Sequence, residues 1–390
     1  MSRGFAAGLS QHPDGAEATA EVVGQVLDGL GGRRRPDLAV LFVTPPHAAG
    51  LADIAHTVRA SLAPAALLGC AAVSVVGGPR EVEAGPAISL WAGFTGAVEP
   101  FHLGVEGTPD GPAFTGWPAA PPDDAKALLL IADPFSFPAD ALLQRLAEDR
   151  PGLPVVGGLA SAARAPGGNR LVIDDQVVTA GAVGAFLGSG VTVSTVVSQG
   201  CRPVGAPYVV TRAERNVVYE LAGRPALERL QEVAATLSDE ERRLMSELVQ
   251  LGRVVDERKA DFDRGDFLVR TVVGADPDAG ALAVGDLVDV GSTTQFQVRD
   301  AESADEDLRA MVGGRAADAA LLFTCNGRGT HLFPAPDHDA GVVYESLEGV
   351  PLAGMFCAGE IGPIGGRNFL HGFTASVVLI SAPDPAEGAP

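Results

Sequence analysis

The sequence predicts a mixed α/β fold, built from repeated strand–helix–strand–strand units that form two packed domains with mixed sheets. Short apolar runs, which are typical of buried strands, alternate with helical patterns along the chain. A similar order of elements occurs three times, as expected for an internal repeat. The chain has 390 residues, 46% of them hydrophobic and 20% charged, which suits a folded protein of two or three domains.

The first two copies of the predicted unit fill the N-terminal half. The first has a strand LAVLFV (38–43), a helix near 48–62, a glycine-bounded segment PAALLGCAAVSVVGG (64–78) and a strand pair ending in AISLWAG (87–93). The second has a strand ALLLIAD (127–133), a helix PADALLQRLAEDR (138–150), a segment PVVGGLASAARAPGG (154–168) and a hairpin over 171–187 that turns at Asp174-Asp175.

The third copy lies near the C-terminus. Its strand is AALLFTC (319–325), a helix follows over 338–348, the glycine-bounded segment is PLAGMFCAGEIGPIGG (351–366), and FLHGFTASVVLI (369–380) is the closing strand. In each copy a proline opens an apolar run into a glycine, and a Gly-Gly pair follows.

A different block separates the second copy from the third. Residues 200–223 alternate like a hairpin, and a helix is expected from Arg224 to Leu237. Ser238 and Glu241 have the spacing of a capping box for a second helix. The Gly- and Pro-rich segment 104–124 is expected to be a loop or linker, and residues 1–16 and 383–390 are expected to be frayed. These features place an N-terminal domain at 36–190 and a C-terminal domain at 200–382.

Charge and hydropathy favour a cytoplasmic protein. The net charge of −21 would repel phosphate backbones and anionic lipid, so neither nucleic acid nor a membrane is an expected partner. No signal peptide and no apolar run long enough to span a bilayer is found.

Motifs for catalysis and cofactor binding are missing. The four cysteines are far apart without a CxxC pair, and no phosphate loop, HExxH or GxSxG motif occurs. We therefore expect no cofactor, no metal site and no catalytic residue, and hence a protein that is not an enzyme.

The stretch LLFTCNGRGTHLF (321–333) is the first candidate binding site. Cys325 ends a predicted strand, and Asn326, Gly327, Arg328 and Gly329 follow it. The glycines allow backbone N–H groups to approach an anion, and the arginine could clamp a carboxylate. A plain turn with a half-buried cysteine is the alternative, and a catalytic thiol is a third hypothesis.

The stretch CAGEIGPIGGRNFLHG (357–372) is the second candidate. Glu360 stands in an apolar surrounding, where a carboxylate must be paired, hydrogen-bonded or protonated. With Arg367, Asn368 and His371 it could recognise the charged ends of an amino acid. An ion pair between Glu360 and Arg367 is the structural alternative. Arg202, in the stretch Gly200-Cys201-Arg202-Pro203 that leads into the alternating hairpin, is a further candidate contact.

The segments GCRPVG, VTRAERNVVYELAGRPALE, FTCNGRG and FCAGEIGPIGGRNFLHGFT resemble the FIST family, named for F-box and intracellular signal transduction proteins. The resemblance covers nearly the whole chain and implies paired FIST N-terminal and C-terminal domains in a sensory module that binds small ligands, with amino acids suggested. The matching motif positions are Cys201, Arg202, Pro203, Cys325, Asn326, Gly327, Arg328, Gly329, Glu360, Gly365, Arg367 and Asn368.

Two classes of function follow, with a third kept open. The first is a stand-alone cytoplasmic sensor that binds a small molecule, such as an amino acid, and acts through an unidentified signalling partner. Here Arg328 or Arg367 holds a carboxylate and Glu360 holds an amine. The second is a transferase or hydrolase with Cys325 as nucleophile and His331 or His371 as base. The third is a protein-interaction scaffold that binds no ligand.

Overall fold

The computed structural model describes residues 4–109, 111–119, 121–259, 261–262 and 264–382. The helices are α1 (Gly15–Gly29), α2 (Pro45–Ala48), α3 (Leu51–Leu62), α4 (Ala139–Asp149), α5 (Ala226–Thr236), α6 (Asp239–Glu247), α7 (Ala301–Val312) and α8 (His338–Ser346). None of the helices in these ranges is long and apolar enough to cross a lipid bilayer.

The strands of the first half are β1 (Phe5–Ser10), β2 (Leu38–Val43), β3 (Ala66–Ala71), β4 (Val75–Gly77), β5 (Arg80–Val82), β6 (Ile88–Gly93), β7 (Pro100–Thr108), β8 (Gly111–Thr115), β9 (Ala127–Ala132), β10 (Val155–Leu159), β11 (Leu171–Ile173), β12 (Gln176–Val178), β13 (Ala182–Leu187) and β14 (Thr192–Gln199). Those of the second half are β15 (Cys201–Pro203), β16 (Tyr208–Glu214), β17 (Val217–Leu221), β18 (Arg224–Pro225), β19 (Gln250–Val254), β20 (Phe267–Asp276), β21 (Ala281–Val284), β22 (Thr293–Arg299), β23 (Ala319–Cys325), β24 (Leu352–Cys357), β25 (Glu360–Ile364), β26 (Arg367–His371) and β27 (Thr374–Ser381). The predicted mixed α/β class is confirmed.

Contacts divide the chain into two compact units. One unit contains the residues up to Val197 together with those from Leu308 onward, and the other contains Ser198–Asp307. The third predicted copy therefore shares a unit with the first two, because its strands pair with theirs. This division by contacts differs from the two contiguous domains, 36–190 and 200–382, that the sequence predicts. Those domain bounds stay a prediction.

Three sheets make up the larger unit, in the orders β1-β6-β2-β3-β11-β12, β26-β25-β10-β9-β13-β7-β8 and β14-β27-β23-β24-β4-β5. Each contains one parallel pair joined through a helical connection: β2 with β3, β9 with β10, and β23 with β24. In all three pairs a glycine lies so close to the neighbouring strand that a β-carbon would come within about 2 Å of a backbone oxygen. These glycines are Gly69, Gly157 and Gly354.

Each sheet is completed by a hairpin from a distant part of the chain. The β4–β5 hairpin pairs with β24, the β11–β12 hairpin with β3, and the β25–β26 hairpin with β10. Each hairpin thus comes from one of the three parts of the chain and completes the sheet of another part, so that the three parts exchange hairpins in a cycle. Apolar side chains from β2, β9 and β23, one strand from each sheet, meet in a single core. In this core the Phe42 and Phe323 rings lie 6.1 Å apart, edge to face. Whether the three parts are copies of one unit stays a prediction.

In the smaller unit the strand order β15-β22-β16-β17-β21-β20-β19 closes on itself, because β19 also pairs with β22. Leu251, Leu282 and Phe296 fill its interior, and α5 and α6 pack on it through Val233 and Met245.

Helix α6 begins at the predicted capping box, which is confirmed. The Ser238 backbone N–H donates to the Glu241 carboxylate at 2.9 Å, and the Glu241 N–H donates to the Ser238 hydroxyl at 3.2 Å.

Three local predictions were wrong. Residues 104–124 are not a loop throughout, because β7 and β8 pair as a hairpin. The segment predicted to be frayed over 1–16 contains β1, which pairs along its whole length with β6. The closing strand over 369–380 is two strands, because the chain turns at Phe373, whose φ is +66°. The C-terminal tail 383–390 lies outside the described residues.

Candidate functional site

The turn after β23 begins where the buried strand becomes accessible. Cys325 is half-buried, whereas the other residues of β23 are buried. The Asn326 N–H donates to the Cys357 carbonyl at 3.0 Å and continues the ladder between the two strands. The Gly327 N–H lies 3.4 Å from the Cys325 sulfur, and the Arg328 N–H donates to the Cys325 carbonyl at 2.8 Å. Residues 325–327 are the accessible side of this turn.

Arg328 points into the protein and is completely buried. Its Nε and Nη2 donate to the two oxygens of Asp339 at 2.6 and 2.8 Å. The Thr324 hydroxyl donates to the same carboxylate at 2.6 Å, and His338 Nδ1 lies 3.0 Å from it. Burial alone would raise the pKa of Asp339, but the Arg328 charge and these hydrogen bonds hold it well below its usual range. The two-pronged clamp predicted for a ligand is thus made with the protein's own carboxylate.

Glu81 reaches this ion pair from the β4–β5 hairpin. The Ala340 N–H donates to its Oε1 at 2.9 Å. Burial, followed by repulsion from Asp339 and Glu83, raises the pKa of Glu81 to about 8. The Glu81 carboxyl is therefore mostly protonated at neutral pH, next to an ion pair whose charges cancel.

The Glu83 carboxylate lies against the backbone of the glycine turn. The Thr330 N–H and hydroxyl donate to the Glu83 carboxylate at 3.0 and 2.7 Å. Gly329 has φ of +58°, and a β-carbon there would lie 2.7 Å from the Glu83 carboxyl carbon. A carboxylate does lie against this turn, as the glycines predict, and it is one from the same chain.

Glu360 is the first residue of β25 and is completely buried. The Thr374 N–H and hydroxyl donate to its Oε2 at 3.1 and 2.9 Å, and the Cys325 thiol also interacts with this carboxyl. Burial outweighs these contacts and raises the pKa of Glu360 to about 8. The ion pair with Arg367 considered above does not form: Glu360 lies opposite His371 in the hairpin, and Arg367 is exposed at the far end.

Arg202 lies in the smaller unit. Its guanidinium forms ion pairs with Glu241 at 2.8 Å and Asp300 at 3.0 Å. These contacts give Arg202 a structural role in joining α6 to the end of β22.

Asn368 and His371 hold backbone groups of the β25–β26 hairpin and its neighbour. The Asn368 side chain accepts from the Val155 N–H and donates to the Leu153 carbonyl, both at 2.8 Å. His371 Nε2 lies 2.9 Å from the Gly362 carbonyl. The structure thus brings Cys325, Asn326, Gly327, Arg328, Gly329 and Glu360 together, while the functional groups of Arg202, Arg367 and Asn368 are directed elsewhere.

Sequence reasoning missed Glu81 and Asp339. Ala340 and Glu81 are 259 positions apart, and no local pattern links the two segments. In the sequence Glu81 stands between Arg80 and Val82, with Glu83 two residues later, so no local signal marks it as buried.

Among the buried polar atoms that have no hydrogen-bond partner in the described residues, three belong to the turn itself and to the β4–β5 hairpin beside it: Glu81 Oε2, Asn326 Oδ1 and Arg328 Nη1. Buried polar groups are normally paired, and leaving one unpaired costs about 1–3 kcal/mol. A guanidinium donor and two oxygen atoms suit a small polar molecule. Within the described ranges no group of three His, Cys, Asp or Glu side chains is placed to hold a metal ion.

Comparison with known proteins identifies the family. The FIST N domain matches residues 37–224, and the FIST C domain matches residues 226–363. The chain belongs to the FIST family. FIST domains are sensory domains of signal transduction.

Relatives of this FIST protein occur in mycobacteria. An uncharacterized protein of Mycobacterium tuberculosis is 46% identical over 95% of this chain and 98% of the relative. An uncharacterized protein of Mycobacterium bovis is also 46% identical, over 95% of this chain and 97% of the relative. The similarity thus extends over both FIST domains.

Proposed function

We propose that this FIST protein is a cytoplasmic sensor that binds a small polar ligand at the turn after β23 and acts through a partner protein. The observation that carries the proposal is that three buried polar atoms, from Glu81, Asn326 and Arg328, lack a hydrogen-bond partner among the described residues, at and beside a turn that is partly accessible. Satisfying these atoms favours the bound state, and the hairpin that carries Glu81 belongs to a different part of the chain. Ligand binding would therefore change how two distant segments are held together.

An amino acid is the ligand class that we propose first. Its carboxylate would accept from Arg328 Nη1, since Nε and Nη2 are engaged by Asp339. Its ammonium group would donate to Glu81 Oε2 and favour the ionised form of that carboxyl. Glu81 thus takes the role that the sequence had suggested for Glu360, and Arg367 takes no part.

Thermal-shift and calorimetric titrations with the twenty amino acids test this proposal. A ligand at 100 times its Kd should stabilise the fold by about 2.7 kcal/mol. Asn326→Ala and Glu81→Gln should each weaken binding by about tenfold, whereas Arg367→Ala is the matched control and should bind normally. An affinity that is lost in Arg367→Ala and kept in the other two variants would refute the site. A flat screen would favour the scaffold hypothesis.

The cysteine-dependent enzyme is a second candidate, favoured by the contact of the Cys325 thiol with Glu360 and its interaction with Arg328. A catalytic thiolate would be alkylated rapidly at pH 6–7, whereas an ordinary thiol of pKa about 8.5 would not. Labelling of Cys325 at the rate of free cysteine would exclude this candidate.

A further inference from the structure

A cavity of about 370 Å³ lies between the first turns of α1 and α3, on the larger unit. This volume is within the range of small-ligand sites. Its polar wall contains Asp14, His47 and Asp53, and Ile54 and Pro46 contribute apolar surface. None of these residues belongs to the site after β23.

His47 supplies a hydrogen-bond acceptor to this cavity. The side chain is 4% exposed, and its Nε2 lies 3.1 Å from the His12 carbonyl. Because a carbonyl can only accept, Nε2 carries a hydrogen, and in the tautomer that this bond selects Nδ1 presents a lone pair. A β-carbon built on Gly15 would lie 3.5 Å from Nδ1, which places that nitrogen on the cavity wall. No described residue donates a hydrogen bond to it.

The other polar side chains of the wall also present acceptors. Hydrogen bonds from the Glu17 and Ala16 N–H groups lower the pKa of Asp14, which is therefore ionised at neutral pH. The Thr19 hydroxyl donates to the Gly15 carbonyl at 2.6 Å, and the Thr57 hydroxyl donates to the Asp53 carbonyl at 2.8 Å. Both hydroxyls are thereby left with lone pairs for a ligand.

The helix ends do not make this an anion site. Asp14 already satisfies the first N–H groups of α1, and Asp53 places a second carboxylate in the first turn of α3. No lysine or arginine lines the cavity. The net charge of −21 adds to the attraction of cations.

We propose that this cavity binds a small organic cation, specifically a primary alkylammonium group. The ammonium has three donors, which match the two carboxylates and the His47 lone pair. The aliphatic part packs against Ile54 and Pro46. This site is independent of the amino-acid site proposed above, and either can fail without the other.

Ligand-observed saturation-transfer NMR on the full chain tests the proposal, with n-butylammonium as the probe. Butanol and butyrate are matched in length and carry no charge or a negative charge. We expect saturation transfer to n-butylammonium and none to the other two. Asp14→Asn keeps a good helix cap and removes the charge, so affinity should fall about tenfold, and Asp53→Asn should do the same. Glu17→Gln removes the same charge from α1 outside the cavity and should leave binding unchanged.

Steric variants locate the site without changing charge. Gly15→Ala fits, since its β-carbon would have only ordinary contacts, and should keep binding. Gly15→Leu would fill the cavity and should abolish it. The proposal is overturned if n-butylammonium does not bind, if butanol or butyrate binds equally well, or if Gly15→Leu binds like the wild type.

Discussion

Replacing Glu360 by Gln tests how a buried carboxyl couples the stability of this protein to pH. The folded protein keeps a proton on Glu360 up to about pH 8, whereas the ordinary value for this side chain is 4.5. Between these values unfolding releases a proton, so the free energy of unfolding falls as the pH rises. The contribution of the protonated Glu360 carboxyl to the free energy of unfolding is fully present below about pH 4.5 and is lost as the pH rises to about 8.

The size of the effect follows from the pKa difference. Each pH unit between the two values changes the free energy of unfolding by about 1.4 kcal/mol, which gives about 3 kcal/mol at pH 7 and about 4 kcal/mol at pH 8, where the folded carboxyl is half ionised. In Glu360→Gln the amide oxygen can still accept both hydrogen bonds from Thr374. We therefore expect the variant to match the wild type near pH 4.5 and to exceed its stability increasingly up to pH 8.

Urea unfolding measured at half-unit steps from pH 5 to pH 8 gives this comparison. Glu345→Gln, on the exposed side of α8, is the control for losing one carboxylate and should show no such trend. Glu81→Gln should act in the same direction as Glu360→Gln, because the pKa of Glu81 is also raised to about 8. A constant difference between Glu360→Gln and the wild type across this range would refute the reasoning.

Three other predictions concern the same region. Asp339→Asn leaves Arg328 buried without a counter-charge and should cost about 3–5 kcal/mol in urea unfolding; a loss below about 1 kcal/mol would contradict a buried ion pair. Gly354→Ala would place a β-carbon 1.9 Å from a backbone oxygen and should cost about 3 kcal/mol, the upper end of the usual range for overpacking. Gly341→Ala in α8 has open space and should stabilise by about 0.5–1 kcal/mol. Equal urea midpoints for the two variants would contradict this prediction. Iodoacetamide should label Cys325 first in the native protein, since the other three thiols are buried, and peptide mass spectrometry would detect a different order.

The sequence was informative wherever structure depends on neighbours along the chain. The apolar run at 319–325 is a strand with the predicted bounds, and Ser238 caps its helix through Glu241, three residues later. Cys325 and Arg328 were located correctly at the end of that strand. The partner of Arg328 was not predicted, because it depends on how α8 packs.

Long-range pairing was hidden from sequence reasoning. The β4–β5 hairpin carries Glu81 into the sheet of β23 and β24, and nothing in the residues around Glu81 specifies that destination. Composition misled at 104–124, where glycine and proline suggested a loop although the backbone pairs as β7 and β8. The sequence indicated that the buried Glu360 carboxyl must be paired, hydrogen-bonded or protonated. In the structure it is protonated at neutral pH and accepts hydrogen bonds from Thr374, and Arg367 takes no part.

The cyclic exchange of hairpins has a consequence for synthesis on the ribosome. The sheet of β23 and β24 takes its edge hairpin from residues 75–82, and the sheet of β9 and β10 takes its own from residues 360–371. A nascent chain that stops at residue 224, where the FIST N match ends, would expose the open edges of β10 and of β4. Such contacts between distant segments slow folding. The N-terminal half must therefore wait for the last strands to be translated, and it is during this interval that we expect it to need a chaperone.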